Sequence, residues 1–98
     1  MHSVRVVWLS KDEGGRKQPP VAGKYYSVSR FPEDVNWQSN AWSVVFDLKD
    51  PYRDGVRMVS LGEVDFLVKD APRERMINHK LFDIYEGAKK VGEVTILD

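Results

Sequence analysis

The stretch Ala41-Trp42-Ser43-Val44-Val45-Phe46-Asp47-Leu48 contains the clearest structural signal in this chain. Successive side chains of a β-strand point to opposite faces of the sheet, so every second residue shares a face. Trp42, Val44, Phe46 and Leu48 would therefore form one largely apolar face, and the opposite face would carry smaller or polar side chains. The alternation predicts a strand with one buried side.

Similar patterns recur on both sides of this stretch and are separated by turn residues. Proline cannot donate to a ladder and glycine permits positive φ, so segments such as Pro19-Pro20 and Asp50–Gly55 interrupt the strands. Residues 73–79 could form at most one helical turn. About six short strands with such spacing are typical of an all-β barrel or sandwich. The predicted strands are residues 4–9, 24–31, 41–48, 63–69, 77–85 and 89–97, with a short segment at 56–59 and a hairpin turn at 86–88.

Length and composition indicate one ordinary globular domain spanning residues 1–98. The chain has 98 residues, of which 42% are hydrophobic and 31% charged, and it contains no cysteine. Disulfide, thiolate and zinc-finger chemistry are therefore excluded. Fifteen basic and fifteen acidic residues cancel, so no overall charge attracts nucleic acid. No apolar run is long enough to span a membrane and no leader pattern precedes the first strand, which favours a cytoplasmic location.

No motif for catalysis, metal binding or cofactor binding stands out. The two histidines, His2 and His79, have no serine and aspartate at a spacing typical of a catalytic triad. The double glycine Gly14-Gly15 lacks the lysine and hydroxyl residue of a phosphate-binding loop. The acidic residues show no calcium-loop pattern. The sequence therefore predicts a non-catalytic chain without metal or cofactor.

Three segments resemble the C-terminal β-barrel of bacterial translation elongation factor Tu. They are Leu9-Ser10-Lys11-Asp12-Glu13-Gly14-Gly15-Arg16-Lys17-Gln18-Pro19, then Gly55-Val56-Arg57-Met58-Val59-Ser60-Leu61-Gly62-Glu63, then Phe82-Asp83-Ile84-Tyr85-Glu86-Gly87-Ala88-Lys89-Lys90-Val91-Gly92. They stand in the family's order and span nearly the whole chain. The resemblance implies a closed six-stranded Greek-key barrel. It also implies no nucleotide binding, because the GTP-hydrolysing domain of that family is absent.

The same resemblance suggests weak RNA contact. In the family, the arginine turn and the last hairpin lie on the side that meets the T-stem of aminoacyl-tRNA, largely through phosphates and riboses. Here Lys17 replaces a histidine and preserves a potential cation, whereas Tyr85 replaces an arginine. The alternative is that the glycines of these turns serve only to close the barrel. The RNA-binding candidates carried over from the family are Arg16, Lys17, Tyr85, Glu86 and Gly87.

Protein binding is the preferred functional hypothesis, because the family's barrel packs against two other domains that this chain lacks. Tryptophan and tyrosine are common at interaction hot spots, which makes Trp37, Tyr25 and Tyr52 candidates for an interface. A barrel of this size also needs large residues inside, and Trp8, Trp42, Phe46 and Phe66 are expected there. Trp37 lies in an insert at residues 32–40 and is expected either to be partly exposed or to cap one end of the barrel. The sequence thus predicts a non-catalytic binding module whose partner is another protein, with RNA as the alternative.

Overall fold

The computed structural model describes residues 1–34 and 41–98, and these residues form seven strands. One 3₁₀ turn, Lys11–Glu13, and one five-residue helix, α1 (Glu74–Asn78), are the helical elements of the described chain. The small helical content agrees with the sequence prediction. The strands are β1 (His2–Trp8), β2 (Gly23–Arg30), β3 (Trp42–Leu48), β4 (Tyr52–Asp54), β5 (Arg57–Phe66), β6 (Leu81–Glu86) and β7 (Lys89–Ile96).

Six of these strands close into an antiparallel barrel. Their order is β1-β7-β6-β2-β3-β5, and β1 pairs with β5 as well as with β7, which completes the ring. β4 lies beyond β3 along the same edge of β5. Closure gives every barrel strand two neighbours, and within residues 1–34 and 41–98 the short β4 is the strand that pairs on one side alone. The predicted all-β, six-stranded closed barrel is confirmed.

The barrel interior is filled by the apolar side chains that alternate along the strands. In β3, Val44, Phe46 and Leu48 are buried and Trp42 packs partly buried against the core, as the alternation predicts. Trp8 is also buried, and its indole N–H donates to the Ser60 hydroxyl at 2.8 Å. A buried indole without a partner would be costly, so this hydrogen bond allows a large aromatic ring to fill the core.

Three details of the sequence prediction were wrong. Residues 77–80 were predicted to begin the strand that ends at residue 85, but residues 77 and 78 belong to α1 and β6 begins only at Leu81. Residues 56–59 and 63–69 were predicted as separate segments divided by Gly62, but β5 runs unbroken from Arg57 to Phe66 with Gly62 inside it. The segment 50–55 was predicted to be a loop, yet it contains β4, whose three residues are all exposed. The sequence did not predict this strand, because the segment contains turn-forming residues and has no buried face.

The two ends of the barrel differ. At the hairpin end, the two-residue turns after Asp54 and Glu86 connect β4 to β5 and β6 to β7, and each begins with a glycine at positive φ. At the helix end, α1 lies between the last residue of β5 and the first residue of β6. Its Met76 side chain is buried in the core cluster and closes that end of the barrel.

Candidate binding surfaces

Arg16 and Glu86, from the first and last family-like motifs, are in direct contact at the hairpin end. The Arg16 guanidinium donates from Nη1 to Glu86 Oε2 at 2.5 Å, although the residues are 70 positions apart. The Tyr25 hydroxyl donates to the same oxygen at 2.5 Å, and the guanidinium lies 5.6 Å from the Tyr25 ring centroid. Arg16 Nε also donates to the carbonyl of Gln18. This network fixes the loop after the 3₁₀ turn against the last hairpin.

The same network changes the acidity of both of its titratable side chains. Burial by itself would raise the pKa of Glu86, but the hydrogen bonds from Tyr25 and Arg16 outweigh it and hold the pKa below its ordinary value of 4.5. Burial, and then the neighbouring Glu86 carboxylate, raise the pKa of Tyr25 above its ordinary range. Tyr25 therefore remains a hydroxyl donor and Glu86 remains a charged acceptor at neutral pH.

The lowered pKa of Glu86 predicts a stability loss in acid. Because the folded-state pKa lies below the unfolded one, the contribution is complete above pH 4.5 and disappears as pH falls through the lowered folded value. Glu86→Gln should reduce the free energy of unfolding by about 1 kcal/mol at pH 7, a modest figure because the carboxylate is partly exposed.

Urea unfolding of both proteins from pH 7 to pH 3 checks this prediction. The difference between wild type and Glu86→Gln should shrink as the pH falls below 4.5. Glu63→Gln, at an exposed position of β5, is the matched control and should lie close to wild type throughout. A difference between wild type and Glu86→Gln that stays constant with pH would contradict the assigned network.

Most of the predicted RNA-binding residues meet in one groove, but Tyr85 does not. The hairpin groove, of about 610 Å³, includes exposed Lys17 and Lys89 beside the Arg16–Glu86 pair. Gly87, with φ +61°, begins the adjacent turn. The Tyr85 hydroxyl instead accepts a hydrogen bond from Arg30 Nη1 at 3.3 Å. The hairpin groove is lined by Arg16, Lys17, Gln18, Pro19, Pro20, Val21, Glu86 and Lys89.

The prediction that Tyr25 belongs to an exposed interface was wrong. Tyr25 is only 8% exposed, because it alternates inward along β2 and its ring packs edge-on against Trp8 at 5.4 Å. Its hydroxyl is occupied by Glu86. Tyr52 is exposed on β4, in keeping with the prediction of an accessible side chain. Trp37, the third interface candidate, lies outside the described residues.

A charged cluster at the helix end was missed by the sequence analysis. The Asp34 side chain is 2% exposed, accepts a hydrogen bond from Arg75 Nη1, and accepts another from the backbone N–H of Phe31 at 2.8 Å. Glu33 Oε1 lies 3.4 Å from Arg75 Nε and 3.1 Å from His79 Nε2. Through its contact with Asp34, Arg75 connects α1 to the turn after β2. No local pattern reveals this contact, because its partners are about forty residues apart.

A second groove lies beside this cluster. Its inner wall includes Phe31 and Phe82, whose rings stack with centroids 4.6 Å apart, and its volume is about 410 Å³. The Leu81 side chain at its rim is 64% exposed. This helix-end groove is lined by Arg30, Phe31, Pro32, Asp34, Leu81, Phe82, Asp83, Glu93 and Val94.

The described residues were also searched for other kinds of site. Within residues 1–34 and 41–98, no group of three or more histidine or acidic side chains is arranged to hold a metal ion. In the same ranges, no helix has the length and apolar character needed to cross a bilayer. Comparison with protein-family models, with curated proteins and with solved structures found no match to this chain.

Proposed function

We propose that this chain is a non-catalytic binding module whose helix end binds another protein. The observation that carries the proposal is the uneven distribution of exposed large apolar side chains. Of the ten such side chains in the described chain, six lie at or just beyond strand ends on the helix side or on α1 itself. They are Met1, Leu67, Val68, Ile77, Leu81 and Leu97.

This concentration favours an interaction surface over random exposure. Single exposed apolar residues are normal on soluble proteins, whereas a group at one end of a small domain is typical of a surface that becomes buried. The strands beneath this end are firmly paired, because Leu97 N donates to the Ser3 carbonyl at 2.8 Å and Ile96 N donates to the Lys80 carbonyl at 2.7 Å. A partner would therefore meet a preformed surface, which lowers the entropic cost of binding.

The resemblance to the third domain of elongation factor Tu suggests the cellular process in which this binding would take place. That domain is a Greek-key barrel that packs on neighbouring domains in a cytoplasmic translation factor. A related barrel whose corresponding faces are exposed would offer them to a separate partner. We include a cytoplasmic, translation-related role in the proposal on this analogy.

Capture from cell extract, with and without ribonuclease, tests the protein-binding proposal. The tagged chain should retain a defined protein after ribonuclease treatment, and the double variant Leu67→Ser/Ile77→Ser should lose it. Val56→Ser is the matched control, because Val56 is 90% exposed at the hairpin end and its loss should leave capture unchanged. All three positions are exposed, so folding should change by no more than about 0.5 kcal/mol. Equal capture by wild type and double variant would contradict binding at the helix end.

RNA binding is the second candidate, and the charge of the hairpin groove favours it. Three cations, Arg16, Lys17 and Lys89, line that groove with a single carboxylate, Glu86. Glu86 already neutralises Arg16, so the remaining attraction for phosphate depends mainly on the two lysines. Capture that disappears with ribonuclease, weakens steeply with salt and is lost in Lys17→Ala/Lys89→Ala would support RNA as the partner.

A further inference from the structure

The connection between β5 and β6 is attached to the barrel backbone at two hinge residues. Leu67 N donates to the Ser43 carbonyl at 3.0 Å, and the Lys80 carbonyl accepts from Ile96 N at 2.7 Å. The residues between these hinges, 68–79, are called the cap. Within residues 1–34 and 41–98, no backbone hydrogen bond joins the cap to a barrel strand. Its side chains are therefore what holds the cap against the described part of the barrel.

The backbone hydrogen bonds that the cap does make stay within it. Ala71 N donates to the Val68 carbonyl at 3.3 Å. Arg75 N donates to the Pro72 carbonyl at 3.0 Å, and His79 N donates to the Arg75 carbonyl at 2.8 Å. The single helix of the cap, α1, has five residues, which is too few to be stable by itself. The cap can therefore leave the barrel without breaking a pair of the sheet.

Two buried side-chain contacts attach the cap to the barrel. Met76 is 1% exposed and belongs to the core cluster, and Ala71 is the other buried residue of the cap. Arg75 pairs with the buried Asp34 carboxylate in the turn after β2. Removing one partner of a buried ion pair is strongly destabilising, because the other charge stays buried without compensation. The Arg75–Asp34 pair thus stabilises the closed position of the cap.

The remaining contacts of the cap are more exposed. Arg73 Nη1 lies 2.6 Å from Asp65 Oδ1, and both side chains are partly exposed, so this pair contributes little. His79 Nε2 lies 3.1 Å from Oε1 of the exposed Glu33, and its ring centroid lies 6.4 Å from that of Phe31. A segment with few buried contacts opens at a lower free energy than the whole domain. The barrel strands, with their ladders and shared core, are held far more firmly.

We infer that the cap opens as a unit while the barrel stays folded, and that the Arg75–Asp34 pair is the latch that keeps it closed. Opening withdraws Met76 from the core and gives the Asp34 carboxylate access to water. The two hinge hydrogen bonds remain, so the cap closes again without a search through other arrangements.

The cap carries part of the surface that the proposed function assigns to protein binding. Val68 and Ile77 are exposed members of that surface, and Leu67 is one of the hinges. If the proposed function holds, a partner that covers these side chains keeps the cap closed, and an open cap loses that surface. The opening itself does not depend on the proposed function.

Oxidation of the full chain by hydrogen peroxide, followed by mass spectrometry, tests this inference. Peroxide transfers one oxygen atom to an accessible methionine thioether, which gives the sulfoxide and water. In Arg75→Gln the Asp34 carboxylate lacks its cation in the closed state, so Met76 should be oxidised at least about tenfold faster. Arg73→Gln removes only an exposed ion pair of the same cap, and this matched control should change the rate by less than about threefold.

Met58 in β5 shows whether the opening is local. Its oxidation rate should be the same in wild type and in both variants, because β5 stays paired when the cap opens. Equal acceleration of Met58 and Met76 in Arg75→Gln would mean that the whole domain unfolds, and the inference would be overturned. An unchanged Met76 rate in that variant would overturn the latch.

Hydrogen exchange of the wild-type chain tests the cap even if Arg75→Gln fails to fold. The amides of Ala71, Arg75 and His79 should exchange through one common opening, and faster than the hinge amides of Leu67 and Ile96. Equal protection of all five amides would overturn the inference. Neither measurement needs a partner, so such a result would leave the proposed function to be decided by capture from extract.

Discussion

Gly62→Ala should destabilise this barrel by about 3 kcal/mol or more, because the added methyl group has no room. A Cβ at Gly62 would lie 2.2 Å from the carbonyl oxygen of Asp47 and 3.0 Å from Cα of Leu48. These are backbone atoms of β3, and Gly62 pairs with Leu48 in the ladder. Neither strand can yield without breaking the β3–β5 pairing. Thermal unfolding should show a midpoint at least about 12 °C lower.

Gly87→Ala separates this steric effect from the usual cost of replacing a glycine. Gly87 has φ +61°, so alanine there is strained, but a Cβ would meet no atom within 4 Å. Alanine in this left-handed conformation should cost about 1 kcal/mol. If Gly62→Ala proved no more harmful than Gly87→Ala, β3 and β5 could not approach as closely as the structure indicates.

The structural role of Gly62 could not be predicted from the sequence. A glycine near a predicted strand boundary indicated a turn, because glycine is common in turns. Glycine is needed at position 62 because β3 approaches β5 closely there, and this approach depends on how the barrel closes. By contrast, the alternation at residues 41–48 correctly predicted β3, and the glycine at residue 87 correctly marked the β6–β7 hairpin. Local patterns predicted the strands, but β1–β5 closure joins residues about fifty to sixty positions apart.

In the candidate surfaces too, some contacts were predicted from the sequence, whereas others depend on residues that are distant in the chain. The resemblance placed Arg16 and Glu86 on one side of the molecule, and the structure brings them into contact. It gave no sign that Tyr25 turns inward to share the Glu86 carboxylate. The helix-end groove forms where the turn at residues 31–34 diverges from the β2–β6 ladder. The Asp34 carboxylate in this turn pairs with Arg75 of α1 and holds the turn in place. Such a contact follows from the assembled fold rather than from a motif.

Phe46→Ala should have an effect as large as that of Gly62→Ala, about 3 to 5 kcal/mol, for the opposite reason: it leaves a cavity. Phe46 is fully buried, its ring centroid lies 5.9 Å from that of Tyr25, and it pairs with Val64 of β5. The surrounding strands form a closed ring and cannot collapse freely into the space. Tyr52→Ala removes a comparable ring from the exposed β4 and should cost less than about 0.5 kcal/mol.

The Phe46 substitution should also weaken the Glu86 network, because Tyr25 loses a ring that holds it in place. The acid-dependent difference between the Glu and Gln forms at position 86 should therefore be smaller in the Phe46→Ala background, and a double-mutant cycle measures this coupling. A more conservative Phe46→Leu should retain more of the coupling, since it keeps most of the apolar volume. If the cycle showed no coupling while Phe46→Ala cost under about 1 kcal/mol, Phe46 could not be the core contact that positions Tyr25.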